Sequence, residues 1–206
     1  QIATLRERRT GAIFEMAREL GAALTTGQII EVGTLHVGEM LQARVAILLP
    51  DSEEKVKQKV EHPDETLTLD ASVVDLDIAQ WVYDQQKNAG HGTDTLPATG
   101  ALYLPLKAPM RTRGVIAILS PHMEELEIPE QRRMIDTFAA QIALALERVH
   151  YVEIAQDALV NMESERLRNS LLSAISHDLR TPLTSIVGFA SMLAERPIGE
   201  TGNAEQ

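Results

Sequence analysis

Within "LLSAISHDLRTPLTSIVGFASML", residues 171–193, a histidine, an aspartate and a threonine stand in the order His177, Asp178, Thr181, and Pro182 follows directly. Imidazole suits nucleophilic work near neutral pH, because a free imidazole titrates at about 6.5 and is substantially neutral above that. A carboxylate at the adjoining position can accept the Nδ1 proton and leave the Nε2 lone pair free to attack. Thr181 lies one turn on, where its hydroxyl can hydrogen-bond a phosphoryl oxygen or a water. Pro182 has no N–H for the carbonyl of Asp178 and crowds it. A proline inside a helix costs on the order of 3 kcal/mol, so its place here points to a kink and a helix that can flex. Together these residues describe a phosphoryl acceptor.

The histidine is usable only if it faces outward. At a hundred degrees per residue, Leu171, Leu172, Ile175, Leu179, Leu183, Ile186, Ala190 and Leu193 fall on one arc centred opposite His177. Ser173, Thr181, Thr184 and Gly188 share the histidine's side. An incidental surface histidine would also lie there, but it would not have Asp178, Thr181 and Pro182 around it.

Composition narrows the setting. The 206 residues suffice for one domain with a real core and an extension. A net charge of -11 argues against a nucleic-acid surface. With no cysteine there are no disulfides, thiolate metal sites or thioether-linked pigments. No apolar run reaches the length of a membrane span, and "QIATLRERRT" is charged from the start, unlike a signal peptide. The clusters Arg6–Arg9 and Arg111–Arg113 read as solvated helix and strand-end charges.

Along the chain, Leu5, Ile13, Met16 and Leu20 have helical spacing. A second amphipathic helix follows, with Thr25 or Thr26 as its N-cap. "RVAILLP" reads as a buried strand stopped by Pro50, and "DSEEKVKQKV" as a turn and an edge strand. "DLDIAQWVYDQQKNAG" reads as a helix with Ile78, Trp81 and Val82 inward, Asp75 near its start and Gly90 past its end. "ALYLPLKA" and "RGVIAILSP" supply two further strands. From Pro129, at a first helical position, neither glycine nor proline recurs before Pro182. Phe138, Ile142, Ala145, Val149 and Val152 alternate spacings of four and three, the seam of a coiled coil, which predicts a homodimer through the long helix. Leu159 keeps that phase. Leu167 and Leu171 do not, as after a four-residue stutter or a change of packing partner.

This order of elements resembles the GAF sensor-domain fold, an α+β architecture with an antiparallel sheet flanked by helices. Here it is followed by a long signalling helix leading into the first helix of a histidine-kinase dimerisation and phosphoacceptor domain. The expected division is 1–148 for the GAF-like domain with its linker helix and 149–206 for the signalling and phosphoacceptor segment. The sequence names no GAF ligand. Asp94, Tyr103 and Trp81 are candidates to line a pocket, although Trp81 and Tyr103 suit the core as well. His36, His62, His91 and His122 are spread out as surface residues, and no metal site is expected.

"SHDLRTPL" resembles the H-box of sensor histidine kinases, a highly specific motif. "IPEQRRMIDTFAAQIALALER" and "AQWVYDQQKNAGHGTDTLPATGALYLPLK" extend the likeness to the potassium-responsive members of that family, over nearly the whole chain from Arg9 to Leu193. The resemblance implies that His177 accepts the γ-phosphoryl group of ATP and passes it to a response regulator. It implies that Asp178 is the general base, and that Thr181 positions water for dephosphorylation of the regulator. It further implies the cytoplasmic part of an inner-membrane protein, with membrane contact only through segments outside this chain, controlling potassium uptake. Two departures accompany it. Only twelve residues follow Ala194, with Pro197, Gly199 and Gly202 marking a turn, so the second hairpin helix is expected to be missing. No ATP-binding domain or G-x-x-x-x-G-K loop is present, so ATP and its domain must come from elsewhere in the parent protein. The alternative is a GAF module that binds a small ligand and dimerises without activity of its own.

Overall fold

The apolar run "RVAILLP" forms strand β1 (Arg44–Pro50), with Val45, Ile47 and Leu49 on one face of a sheet and Ala46 and Leu48 on the other. Strands β4 (Leu102–Lys107) and β5 (Thr112–Leu119) repeat the alternation. Leu102, Leu104, Leu106, Ile116 and Ile118 join the first face, and Tyr103, Val115 and Ala117 the second. Both faces are covered, which is why these strands read as continuous apolar runs instead of alternating ones. The computed structural model describes residues 2–58, 67–70 and 72–194, with side chains for 11–58, 67–70 and 72–192.

The short strands β2 (Val56–Gln58) and β3 (Ala89–Gly90) complete a five-stranded antiparallel sheet in the order β2-β1-β5-β4-β3. Helices α1 (Ile2–Ala22), α2 (Thr26–Leu41) and the start of α4 (Pro129–Ala194) cover the first face. Helix α3 (Leu76–Gln85) covers the second through Ile78, Ala79 and Val82. At Gly114 of β5 an added Cβ would stand 2.3 Å from the carbonyl oxygen of Leu48 on β1. Only glycine allows that approach. Gly114→Ala should cost about 3 kcal/mol by forcing the central strands apart, read as a lowered denaturant midpoint.

Helix ends follow local chemistry. Thr25 caps α2 in a capping box: its hydroxyl accepts from Gln28 N–H at 3.3 Å and the Gln28 amide oxygen accepts from Thr25 N–H. Asp75 caps α3, accepting from the N–H groups of Asp77 and Ile78. The stop of α3 differs from expectation. Gln86, not Gly90, takes the left-handed turn (φ 55), and Gly90 lies within β3. The C-terminus of α1 is closed from α4, where Arg148 donates to the carbonyls of Leu20, Gly21 and Ala23. Arg148→Ala should lower stability by ~2 kcal/mol and speed amide exchange in the last turn of α1.

The chain divides into two compact units, 1–153 and 154–206. In the first, Phe138, Ile142, Ala145 and Val149 are buried in the domain's own core against the sheet, α1 and α2. This corrects the coiled-coil seam expected for them, of which only Val152 is half exposed. The reason is geometric. From Phe138 to Val149 is eleven residues, three turns of an ordinary helix, and over that distance 3.5- and 3.6-residue repeats drift apart by only about 30°. A core stripe and a dimer seam therefore look alike. In the second unit every described side chain is exposed. No helix among the described residues is long and apolar enough to cross a membrane. Pro197, Gly199 and Gly202 lie outside the described residues.

Candidate functional site

Helix α4 continues through Pro182 as an unbroken helix in its assignment. The carbonyl of Asp178 loses its intrahelical partner there. Two carbonyls beside it gain side-chain donors, with the Thr184 hydroxyl bonded to Arg180 O at 2.7 Å and the Ser185 hydroxyl to Thr181 O at 3.1 Å. Such back-bonding is a usual companion of helix bending. Thr184 and Ser185 went unread in the sequence beyond the placement of Thr184 on the histidine's side. A hydroxyl pair immediately after a helical proline was the available signal.

His177 projects into solvent, its side chain 82 % exposed, and Asp178 is 83 % exposed. The His177 Nδ1 and Asp178 Oδ1 atoms are 3.4 Å apart, at the long edge of hydrogen bonding. The contact is compatible with Nδ1–H facing the carboxylate, the tautomer that leaves Nε2 unprotonated and open to solvent. Thr181 is exposed, and its hydroxyl has no hydrogen-bond partner among the described residues. The opposite side carries Leu171, Leu172, Ile175, Leu179, Leu183 and Ile186, all more than half exposed. The Leu193 side chain lies outside the described residues. An apolar row of that length beside a polar reactive row is the pattern of a helix built to pack on one side and react on the other.

The first unit shows no convergence of Asp94, Tyr103 and Trp81 on a cavity. Tyr103 is buried in the layer between sheet and α3, where its hydroxyl accepts the Asp75 N–H at 2.9 Å and burial pushes its phenol above the ordinary value. Trp81 is partly buried against the same cluster, and Asp94 is exposed in the 91–100 loop. Among the described residues no three His, Cys, Asp or Glu side chains converge to hold a metal ion. His36 is not a free surface residue, since its Nε2 lies 2.9 Å from Glu19 Oε2 and its side chain is 12 % exposed. His91 faces Glu127 at 3.4 Å, His122 precedes the short 3-10 helix Met123–Glu127, and His62 lies outside the described residues. Arg113 also departs from its expected role as a solvated strand-end charge. It is buried and paired with buried Glu147 at 3.4 Å.

Comparison with known proteins agrees with this division. The model of the GAF domain family matches residues 25–148, and that of the His Kinase A (phospho-acceptor) domain matches residues 167–206, which include His177. The sensor protein KdpD of Escherichia coli K12 is 37% identical over 193 residues, covering 94% of this chain and 21% of that protein. The sensor protein KdpD of Clostridium acetobutylicum is 29% identical over 198 residues, covering 95% of this chain and 22% of that protein. The chain thus spans about a fifth of the length of these curated relatives. The crystal structure of the native GAF domain of the potassium sensor histidine kinase KdpD from Escherichia coli superposes with a TM-score of 0.60 at 33% identity. It covers 70% of this chain and 97% of that one. The GAF domain of an Acinetobacter phosphoenolpyruvate-protein phosphotransferase, at TM-score 0.50 and 11% identity over 71% of this chain and 97% of that one, shares the fold alone.

Proposed function

Because the chain belongs to the GAF domain family and carries a segment matching the His Kinase A phospho-acceptor domain behind it, we propose that it is the sensor-to-phosphoacceptor part of a sensor histidine kinase of the KdpD type. The observation that carries the reading is His177 on the exposed face of α4, its Nδ1 beside the Asp178 carboxylate and an apolar row on the opposite face.

In the proposed reaction Nε2 of His177 attacks the γ-phosphorus of ATP. A nitrogen–phosphorus bond forms as the bond to the departing ADP oxygen breaks. Asp178 holds the Nδ1 proton and balances the positive charge that grows on the ring. Transfer to an aspartate of a response regulator of the KdpE type regenerates the free imidazole, and Thr181 orients water when the regulator is dephosphorylated. ATP is the phosphoryl donor, bound by a catalytic domain supplied by the same protein. The parent protein would be anchored in the inner membrane through other segments, keep this part in the cytoplasm and govern potassium uptake through the Kdp system.

A second reading, a ligand-binding and dimerising GAF module, is favoured by the unpartnered apolar row of Ile175, Leu179, Leu183 and Ile186. The two are compatible, because a dimerised helix is also the platform a phosphoacceptor needs. The experiment that separates them mixes this chain with the ATP-binding domain of a KdpD relative and labelled ATP. Acid-labile, base-stable label on the chain supports the phosphoacceptor reading, and none leaves only the binding module.

A further inference from the structure

At one end of the sheet a cleft of about 310 Å³ lies between the start of α2, the β1–β2 turn, the start of β5 and His150 of α4, all within the first unit. Thr26, Arg111, Arg113 and His150 line it. Thr26 is the first residue of α2. The Thr25 hydroxyl is spent on Gln28 N–H, so the N–H groups of Thr26 and Gly27 have no acceptor among the described residues. A helix start is electropositive and favours anions.

Arg113 gives an independent reason. Its side chain is only 6 % exposed, yet one guanidinium nitrogen meets Glu147 at a long 3.4 Å and its Nε–H has no hydrogen-bond partner. The guanidinium lies 5.4 Å from the ring centroid of Tyr151. A buried charged donor without an acceptor is costly, and a bound acceptor relieves it. Nearby carboxylates do not serve. Asp51 is held by Lys57 at 2.6 Å and by the N–H groups of Glu53 and Lys55, which keep its carboxyl down at about 2. Glu147 is shared with Met110 N–H at 3.2 Å, and Arg111 has no ion pair among the described residues. His150 registers the resulting field. Dehydration, then Arg113 and Arg111, lower its pKa against the weaker opposing pull of Glu153 and Glu147.

We infer that this cleft binds a small oxyanion, a phosphate or carboxylate group, between the amides of Thr26 and Gly27 and the guanidinium groups of Arg111 and Arg113. The bound group ties α2 and β5 to α4 at His150, on the helix that continues to His177. The inference stands apart from the chemistry assigned to His177.

The test titrates inorganic phosphate, and in parallel acetate, into the 206-residue chain at constant ionic strength balanced with chloride. Two-dimensional amide NMR follows Thr26, Gly27 and the Arg113 Nε–H. Saturable shifts at these groups are expected, with the better anion naming the class, and Arg111→Ala should weaken binding on the order of tenfold. Arg111 is exposed, so its truncation leaves the fold intact even if Arg113→Lys does not. Saturation by neither anion, equal shifts with chloride, or unchanged affinity in Arg111→Ala overturns the site.

Discussion

His177→Gln is expected to abolish labelling of this chain by a supplied catalytic domain and ATP, with circular dichroism and thermal midpoint unchanged. The loss should be complete, because an amide nitrogen has no lone pair comparable to that of imidazole Nε2. The fold should not notice, since the His177 side chain is 82 % exposed and touches only Asp178, and exposed substitutions of this kind fall within about 0.5 kcal/mol. Asp178→Asn should retain labelling but slow it by about a hundredfold, the lower end of what a positioned proton acceptor contributes. Thr181→Ala should label normally and instead prolong the life of the phosphorylated regulator. Label that persists in His177→Gln would place the acceptor elsewhere and remove the basis of the proposed function.

The second large effect concerns the first unit. Phe138→Ala should cost about 3–5 kcal/mol, because Phe138 is fully buried among sheet, α1 and α2 residues. Leu159→Ala, at a position 63 % exposed and in phase with the same stripe, should leave unfolding of that unit within about 0.5 kcal/mol. Trp81 packs against the α3 side of the sheet and reports the transition by fluorescence. Denaturation at two protein concentrations separates the alternatives. If Phe138 were a dimer-seam residue, its effect would depend on concentration and Leu159→Ala would resemble it.

The motif at His177 was legible without coordinates, because its chemistry is local. Neighbouring positions on a helix meet whatever the rest of the chain does, and a hundred degrees per residue decides which side is polar. The strands β1, β4 and β5, the Thr25 cap, the Asp75 cap and the Pro129 helix start were legible for the same reason: each rests on contacts within a few residues. Tertiary structure decided what depends on partners distant in sequence. Phe138, Ile142 and Val149 belong to the domain core because α4 lies on the sheet, and a four-three spacing carries no record of which surface it will meet. Arg113 is buried because Glu147, thirty-four residues away, lies beside it, and Arg148 grips the end of α1 across more than a hundred residues. Spacing along a chain fixes direction over a turn or two, whereas burial is set by what packs against that face. For that reason the sequence alone determined the phosphoacceptor, and only the fold decided which arginine is buried and which apolar stripe is core.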